Sequence, residues 1–585
     1  MNAIVVDRIV RLLTPAWLTG PIFDKEMRVS SRRRRNYVLR FFYIALFTFL
    51  LAVVWAQTVP YRRTSIAAYQ SSRMAVAGQA IVIAVLWFEF IATQMIAIVM
   101  LSTSISDEIY HRTLGVLMTT PIGGFQIVVG KLLSRLLQLI LLLAISLPLL
   151  AVVRVFGGVP WDFLLCGLCV TLTTVLFVGT LSLFFSIFTR RAYTVILTTI
   201  VVLGALFLLL PLGGAFVLYY PKEPSQAFWR GLSYINPYMV LFDETMSIQG
   251  ARLFTGFSWP IHCGVMLGAS GLLVLSSVAL VRRAALRQAM GQTGLWSRAS
   301  RKPERSLAEG KVARVVGPPV LWREWHGSLL GRRKVLNIVG GIIVFGLICL
   351  TYALCANEDS LSESPVQTSY MVIFFAVGLL FTSVMPATCI AMEKEARTWT
   401  LLLTTSISEW EILASKFGGV VRRCLPSWSL LFAHVVFFSI IGYVHPVAIL
   451  QFGLIAGWAL VFLSSTGLYF SLRFKHTTTA VIANMGLAAA LWAIIPLMAA
   501  IILNLPGMDD SLLNPYMDTN PFVQAGVVAS ATSHEGRLGR YSWAQGGMSN
   551  AVDATCWILG TAAVYVAVGL VLSFWTRSRM RRNAL

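Results

Sequence analysis

Long apolar segments, each bounded by polar or charged residues, recur along the chain. A helix needs about 20 mostly apolar residues to cross the hydrocarbon core of a bilayer. Twelve segments of the 585-residue sequence meet that requirement. They are Phe41–Val59, Ala75–Ser102, Leu132–Val153, Phe163–Phe188, Thr194–Leu218, Ser258–Val281, Val335–Ala353, Tyr370–Met392, Leu425–Ile441, Ala448–Leu472, Thr479–Leu503 and Thr555–Trp575. The pattern predicts an all-α polytopic membrane protein with about twelve transmembrane helices.

Composition and charge support lipid as the surroundings of the chain. Hydrophobic residues make up 57% of it and charged residues 12%, about half the charged share of soluble domains. A net charge of +22 could indicate nucleic-acid binding, but the basic residues cluster at the ends of the apolar segments. Such flanks orient membrane helices, with the basic ends in the cytoplasm. We therefore expect no nucleic-acid partner and a multi-pass protein of the cell (inner) membrane with both termini cytoplasmic.

Two segments outside the spans have patterns of their own. Ile4–Leu13 places apolar residues against Asp7, Arg8 and Arg11. This spacing predicts a helix that lies in the headgroup plane instead of crossing the membrane. Residues 296–318 are basic and contain Gly and Ser, which predicts a solvated cytoplasmic linker.

The chain contains an internal duplication that divides it at this linker. Ile105–Leu132 aligns without gaps on Ile390–Phe417. The polar residues of this cytoplasmic segment are informative because apolar helices match one another by chance. The repeat predicts two parallel six-helix units, 1–295 and 319–585. The residues that recur are Glu108/Glu393, Arg112/Arg397, Thr113/Thr398, Leu117/Leu402, Thr119/Thr404, Thr120/Thr405 and Lys131/Lys416, with Glu26/Glu324 before the first span of each unit.

The repeated segment predicts a cytoplasmic elbow between the second and third spans of each unit. A short helix is followed by a Thr-Thr break and a new helix, and Ser408-x-x-Glu411 indicates a capping box at the start of that helix in the second copy. A turn alone needs fewer residues. A paired elbow suits docking to a soluble partner with two-fold symmetry, while the alternative is an elbow that only turns the chain.

The elbow resembles the corresponding loop of ABC-2 type exporter permeases. The pattern that carries the resemblance is Glu108-x-x-x-Arg112-Thr113-Leu114-x-x-Leu117-x-Thr119-Thr120-Pro121, with Lys131 ten residues later. The second copy departs from it, with Trp399 and Ser406 where the first has Leu114 and Pro121.

The resemblance implies a function for each element. The elbows would be coupling helices that dock on a separate ATPase, present in two copies. The segments around Glu26 and Glu324 would be connecting helices, and one chain would supply both halves of an exporter. ATP and Mg would be bound by the ATPase, so this chain would hold no cofactor of its own.

The sequence contains no P-loop motif that would allow the chain to bind nucleotide itself. Gly130-Lys131-Leu132 lacks both the first glycine at the required spacing and the hydroxyl that holds magnesium. We therefore expect a permease subunit that is not an enzyme.

Two other functions fit a chain with six plus six spans. A secondary transporter of the major-facilitator type commonly couples ions through buried charges. Glu89 is the clear acid inside a predicted span and a possible polar residue of a pathway, but Phe374 occupies its position in the second copy. The other alternative is a non-transporting scaffold that recruits a soluble complex. The transported substrate is left open by the sequence.

Overall fold

The computed structural model of the protein is predominantly helical. It describes residues 16–31, 34–58, 67–110, 113–114, 122–155, 159–189, 191–209, 231, 234–248, 250, 258–289, 315–326, 334–357, 360–496, 513–534, 536–544 and 548–580. The chain forms two compact units, Met1–Arg305 and Ser306–Leu585. The predicted surface helix Ile4–Leu13 and most of the predicted linker lie outside the described residues.

The first unit consists of long helices connected by short ones. In chain order these are α1 (Ala16–Ser31), α2 (Arg34–Thr58), α3 (Ala67–Ser102), α4 (Ser106–Tyr110), α5 (Gly124–Val155), α6 (Trp161–Phe188), α7 (Ala192–Gly204, continued by a π-helical segment Ala205–Leu209), α8 (Pro237–Ile248) and α9 (Trp259–Ala289).

The second unit has a similar succession of helices and one small hairpin. Its elements are α10 (Pro319–His326), α11 (Lys334–Asn357), a 3₁₀ turn Ser360–Ser362, α12 (Ser364–Thr388), α13 (Ala391–Glu395), α14 (Trp399–Leu403), α15 (Glu409–Ile441), α16 (Val447–Arg473), α17 (Thr477–Ala489, continued by a π-helical segment Ala490–Ile494), α18 (Leu513–Asp518), α19 (Pro521–Thr532), β1 (Tyr541–Ser542), β2 (Met548–Ser549) and α20 (Ala551–Met580). The two strands pair antiparallel.

The predicted all-α polytopic membrane fold is confirmed. Within the described ranges, nine helices are long and apolar enough to cross a membrane. Three shorter apolar segments, Arg40–Ala52, Ala192–Phe207 and Val344–Asn357, fall at the other predicted spans. The helices α5 and α15 begin earlier than the predicted spans Leu132–Val153 and Leu425–Ile441, because each also includes the residues that precede its predicted span.

Small and hydroxyl-bearing residues bring the helices of the second unit together. The Asn484 side chain on α17 donates to the carbonyl of Ser383 on α12 at 2.7 Å and accepts from the Thr466 hydroxyl on α16 at 2.7 Å. Gly467 allows α16 to approach α12, because a Cβ there would lie 2.7 Å from Pro386. Such contacts replace the hydrophobic driving force that lipid does not supply.

The last helix of the chain presents an apolar face outward. On α20, several large side chains have no cover inside the unit. Exposed apolar patches of this extent mark a surface that contacts something other than water, and here the lipid bilayer covers it. These residues are Val552, Leu559, Val564, Val568, Leu570, Val571 and Phe574.

The same tie between two helices occurs once in each unit. The Asn236 side chain accepts from the Tyr238 amide at 2.9 Å and donates to the carbonyl of Phe207 at 2.8 Å. Asn520 accepts from the Phe522 amide at 3.0 Å and donates to the carbonyl of Trp492 at 2.7 Å. Both acceptor carbonyls belong to π-helical segments, which interrupt the regular helical bonding. The repeated Asn-Pro dipeptide therefore fixes equivalent helices in both units.

Candidate functional site

In the first unit, an ion cluster joins three helices at the base of the predicted elbow. Lys131 on α5 lies between two carboxylates, 3.1 Å from Glu108 on α4 and 3.7 Å from Glu26 on α1. Arg135 binds the other oxygen of Glu26 at 3.3 Å, and Lys131 also donates to the carbonyl of Ser104 at 2.8 Å. The Lys131 side chain is only 6% exposed, so the cluster is an internal structural link.

The second unit contains the same cluster in a tighter form. Lys416 on α15 donates to Glu324 on α10 at 2.6 Å and to Glu393 on α13 at 2.7 Å. Arg423 pairs with the second oxygen of Glu324, and Arg323 pairs with Glu393. The Lys416 side chain is 2% exposed. Both repeated glutamates in each unit therefore bind one repeated lysine.

The arginine that supports each cluster stands at a different distance in sequence from the repeated lysine but on the same face of the helix. Arg135 follows Lys131 by four residues, and Arg423 follows Lys416 by seven. Positions separated by four or seven residues lie on the same face of an α-helix. Arg135 therefore reaches Glu26 on α1, and Arg423 reaches the equivalent Glu324 on α10, although the two arginines do not align in sequence.

Close packing of α10 against α15 brings the ions within reach of each other. A Cβ at Gly419 would lie 3.0 Å from the Glu324 side chain, and one at Gly418 would lie 2.9 Å from Leu321. A larger residue at either position would require its neighbour on α10 to shift. The pair of glycines therefore permits the short contact between Lys416 and Glu324.

Two of the carboxylates, Glu324 and Glu108, are stabilised in their charged form. Burial alone would raise the pKa of Glu324, but the charges of Lys416 and Arg423 outweigh it and hold that pKa below its ordinary value of 4.5. In the first unit, burial raises the pKa of Glu108, but the charge of Lys131 and the hydrogen bond from the Thr113 hydroxyl outweigh burial, so that pKa is also lowered. Both glutamates are anions at neutral pH.

The elbow of the second unit begins with a specific helix-ending turn. The amide of Thr398 donates to the Glu393 carbonyl at 2.9 Å, and the amide of Arg397 donates to the Lys394 carbonyl at 3.0 Å. This pair of bonds defines a Schellman motif, whose left-handed position is usually glycine. Here that position is Arg397, with φ of 56°. In the first unit the Thr113 amide makes the same bond to the Glu108 carbonyl, at 3.0 Å.

The rest of this elbow is anchored at both ends. Trp399 is buried at the start of α14. The Ser408 hydroxyl accepts from the amide of Glu411 at 3.2 Å and caps α15, as the sequence predicts. The short helix α14 is therefore held between a buried ring and a capped helix.

Only some of the residues that the sequence suggested for the second elbow are exposed on its outer surface. Arg397, Thr398, Thr404 and Thr405 are exposed, Leu402 is half-buried, and the Glu393 carboxylate faces the ion cluster. Leu401 is the most exposed apolar residue of the elbow, at 66%, and the repeat did not single it out because Val116 occupies its position in the first copy. The predicted residues Arg112, Leu117, Thr119 and Thr120 lie outside the described residues.

Glu89 is deeply buried on α3, with 2% of its surface exposed. Within the described part of the chain, its Oε1 atom has no hydrogen-bond partner. Phe374, at the same position of the second unit, packs against Tyr370 and His434, with ring centroids 6.0 and 5.6 Å apart. The role of Glu89 in a pathway stays a prediction. No group of three His, Cys, Asp or Glu side chains suited to a metal occurs among the described residues.

Fold and composition define the class of the protein as a multi-pass α-helical membrane protein. Residues 21–283 match the family model of the ABC-2 family transporter protein. Residues 21–283 are therefore similar to ABC-2 type permeases, the membrane components of ABC-type transporters. The match covers most of the first unit, from α1 to α9. A comparison with curated proteins gave no match.

Proposed function

We propose that the chain is the permease of an ATP-driven exporter and transmits ATP hydrolysis by a separate ATPase through its two elbows. Permeases of this family normally work with an ATPase subunit. The observation that supports elbow docking most directly is the elbow of the second unit, which is fixed from inside by ions and presents Arg397 and Leu401 outward. ATP and Mg would be bound by the partner.

The repeated glutamates have a positioning role in this proposal. Glu393 holds the end of α13 against Lys416, and Glu108 does the same with Lys131. The contact with the ATPase falls to exposed residues of α14 and of the break between α13 and α14. Leu401 supplies an apolar anchor, and Arg397 supplies a charge beside it.

The backbone of Arg397 supports a role for its side chain. A non-glycine residue in the left-handed region costs roughly 1 kcal/mol or more. Glycine would remove that cost, yet both copies have arginine at this position, as Arg112 and Arg397. We infer that the guanidinium serves an interaction that outweighs the strain.

The substitution Arg397→Gly separates docking from folding. It should leave the unfolding temperature of the permease unchanged or raise it, and it should weaken co-purification of the co-expressed ATPase and reduce stimulated ATP hydrolysis at least fivefold. Leu401→Asp should abolish co-purification, whereas Leu538→Asp, an equally simple change of an exposed leucine elsewhere in the unit, should not. Undiminished ATPase binding by Arg397→Gly and Leu401→Asp would contradict docking through this elbow. Binding without any stimulation of hydrolysis in the unaltered complex would favour the scaffold function.

The stoichiometry in this proposal is one chain bound to two ATPase subunits. Each unit contains its own ion cluster at the base of an elbow, so one chain offers two docking elements. Native mass spectrometry of the same complex measures the ratio. Two permease chains per ATPase pair would contradict it.

We also propose that the elbows and both termini lie in the cytoplasm of a cell whose inner membrane holds the protein. The support is the clustering of basic residues at the corresponding ends of the spans. A cysteine placed at Thr404 should resist a membrane-impermeant thiol reagent applied from outside, and one at Asp553 should react. The opposite result would reverse the orientation.

A further inference from the structure

A cavity of about 750 Å³ lies beside the last helix of the second unit. One wall is a stripe of α20 that includes Asp553, Trp557, Thr561 and Tyr565, and Tyr516 stands on the facing wall. The α20 positions follow one another at intervals of four residues, which places them on one face of the helix. The volume is that of a small-molecule site.

The cavity is apolar along most of its length because its aromatic polar groups are already bonded. The Tyr516 hydroxyl donates to the Leu491 carbonyl at 2.5 Å, and the Trp557 indole donates to the Asp518 carbonyl at 3.2 Å. The Tyr565 hydroxyl accepts from the Trp492 indole at 3.2 Å. Three aromatic rings therefore line the space, and their donor and acceptor groups are directed at the protein itself.

One end of the cavity is charged. Asp553 lies in the first turn of α20, and Tyr565 lies twelve residues further along it, about 18 Å deeper at 1.5 Å per residue. Within the described part of the chain, Asp553 has no ion-pair partner, and its side chain is exposed. The polarity thus changes from an unneutralised carboxylate at the end of the span to aromatic surface in its middle.

We propose that this cavity binds an amphiphile with a cationic head and an apolar body. The head would lie against Asp553 with the face of Trp557 beside it, since carboxylates and aromatic faces both attract cations. The apolar body would lie along α20 towards Tyr565. Binding at this site goes beyond the proposed function, because it involves neither elbow and does not depend on an ATPase.

Photolabelling of the full-length permease in phosphatidylcholine nanodiscs tests this site. The probe is dodecylamine with a diazirine in its chain. Cross-links should map by mass spectrometry to Cys556–Tyr565 and to Tyr516. Excess dodecyltrimethylammonium should displace the probe, whereas dodecanol and dodecanoate should not.

Substitutions at the charged end make the test specific. Asp553→Asn should reduce labelling about tenfold, and Asp553→Glu should retain most of it. Glu363→Gln, which removes an acid at the N-terminus of another span of the same unit, should have no effect. Labelling that is equal in Asp553→Asn, or displaced as well by dodecanol as by the cation, would overturn the proposal and indicate a general lipid groove. Cross-links confined to other helices would also overturn it.

Discussion

The ion cluster of the second unit allows a quantitative prediction. The perturbation is Lys416→Met, which keeps the length and most of the volume of the side chain and removes the charge. Lys416 is the shared partner of Glu324 and Glu393, at 2.6 and 2.7 Å. Without it, two largely buried carboxylates from different helices face each other with fewer cations to neutralise them.

The expected cost follows from burial. Removing one partner of a buried ion pair typically destabilises a protein by about 3–5 kcal/mol, and a lysine that is 2% exposed belongs to that class. The equivalent change Lys131→Met should cost less, about 1–2 kcal/mol. The reason is that Glu26 and Glu108 are about one-fifth exposed and their contacts are longer, at 3.7 and 3.1 Å.

Thermal unfolding monitored with a thiol-reactive dye measures the difference. Cys389 is buried next to the cluster, with Arg423 donating to its sulfur at 3.6 Å, so opening of this region exposes a thiol. Lys416→Met should lower the unfolding temperature by about 5–10 °C. The control Lys475→Met makes the same substitution at an exposed residue of the same unit and should change it little.

A double-mutant cycle decides whether the cluster is the cause. Lys416→Met combined with Glu324→Gln should be less destabilising than the sum of the single changes, because neutralising the glutamate relieves the unpaired charge. Additive effects, or equal effects of Lys416→Met and Lys475→Met, would refute this account of how the elbow is held.

Three further predictions concern pH, a helix tie and a close contact. The pKa values of Glu324 and Glu108 are lowered in the folded protein, so the stability that the two charged carboxylates contribute is complete above the ordinary pKa of 4.5 and is lost as the pH falls through the folded pKa. Unfolding temperatures should therefore be level above about pH 5 and fall below about pH 4.5, and Glu324→Gln should reduce that fall. Asn520→Ala should cost about 2 kcal/mol by removing a cap and a buried hydrogen bond, measured in the same dye assay. Gly378→Ala should cost about 1–3 kcal/mol because its Cβ would lie 2.7 Å from the Trp428 ring, and a stabilised variant would show that the ring moves freely.

The arrangement of spans was readable from the sequence because a single physical requirement, a long apolar segment, sets it. The repeated lysine and glutamates were equally visible, since Glu108, Lys131 and their counterparts recur at fixed spacing. That these residues form one ion cluster in each unit could not be predicted from the sequence. Glu26 is far from Lys131 in sequence, and only the packing of α1 on α5 brings the two charges together.

The arginine of each cluster could not be found by aligning the two copies of the repeat. Arg135 and Arg423 occupy different alignment positions but the same helix face. Exposure was similarly hidden, because Leu401 and Leu402 are chemically identical neighbours on a short helix. The three-dimensional turn at Arg397 decides which of them faces outward.

The ion cluster of the second unit lies near the start of α15, between the elbow and the predicted span Leu425–Ile441. The helix α15 runs unbroken from Glu409, directly after the elbow, to Ile441, a length of about 50 Å. Lys416 and Arg423 bind its first part to α10 and α13. Pro426 follows three residues later inside the same helix, and proline weakens a helix at that point by removing a backbone hydrogen bond. We therefore expect the segment from Glu409 to Arg423 to move as one body with α10. We expect a force applied at the elbow to move that body as a whole and bending to concentrate at Pro426, near the start of the predicted span Leu425–Ile441.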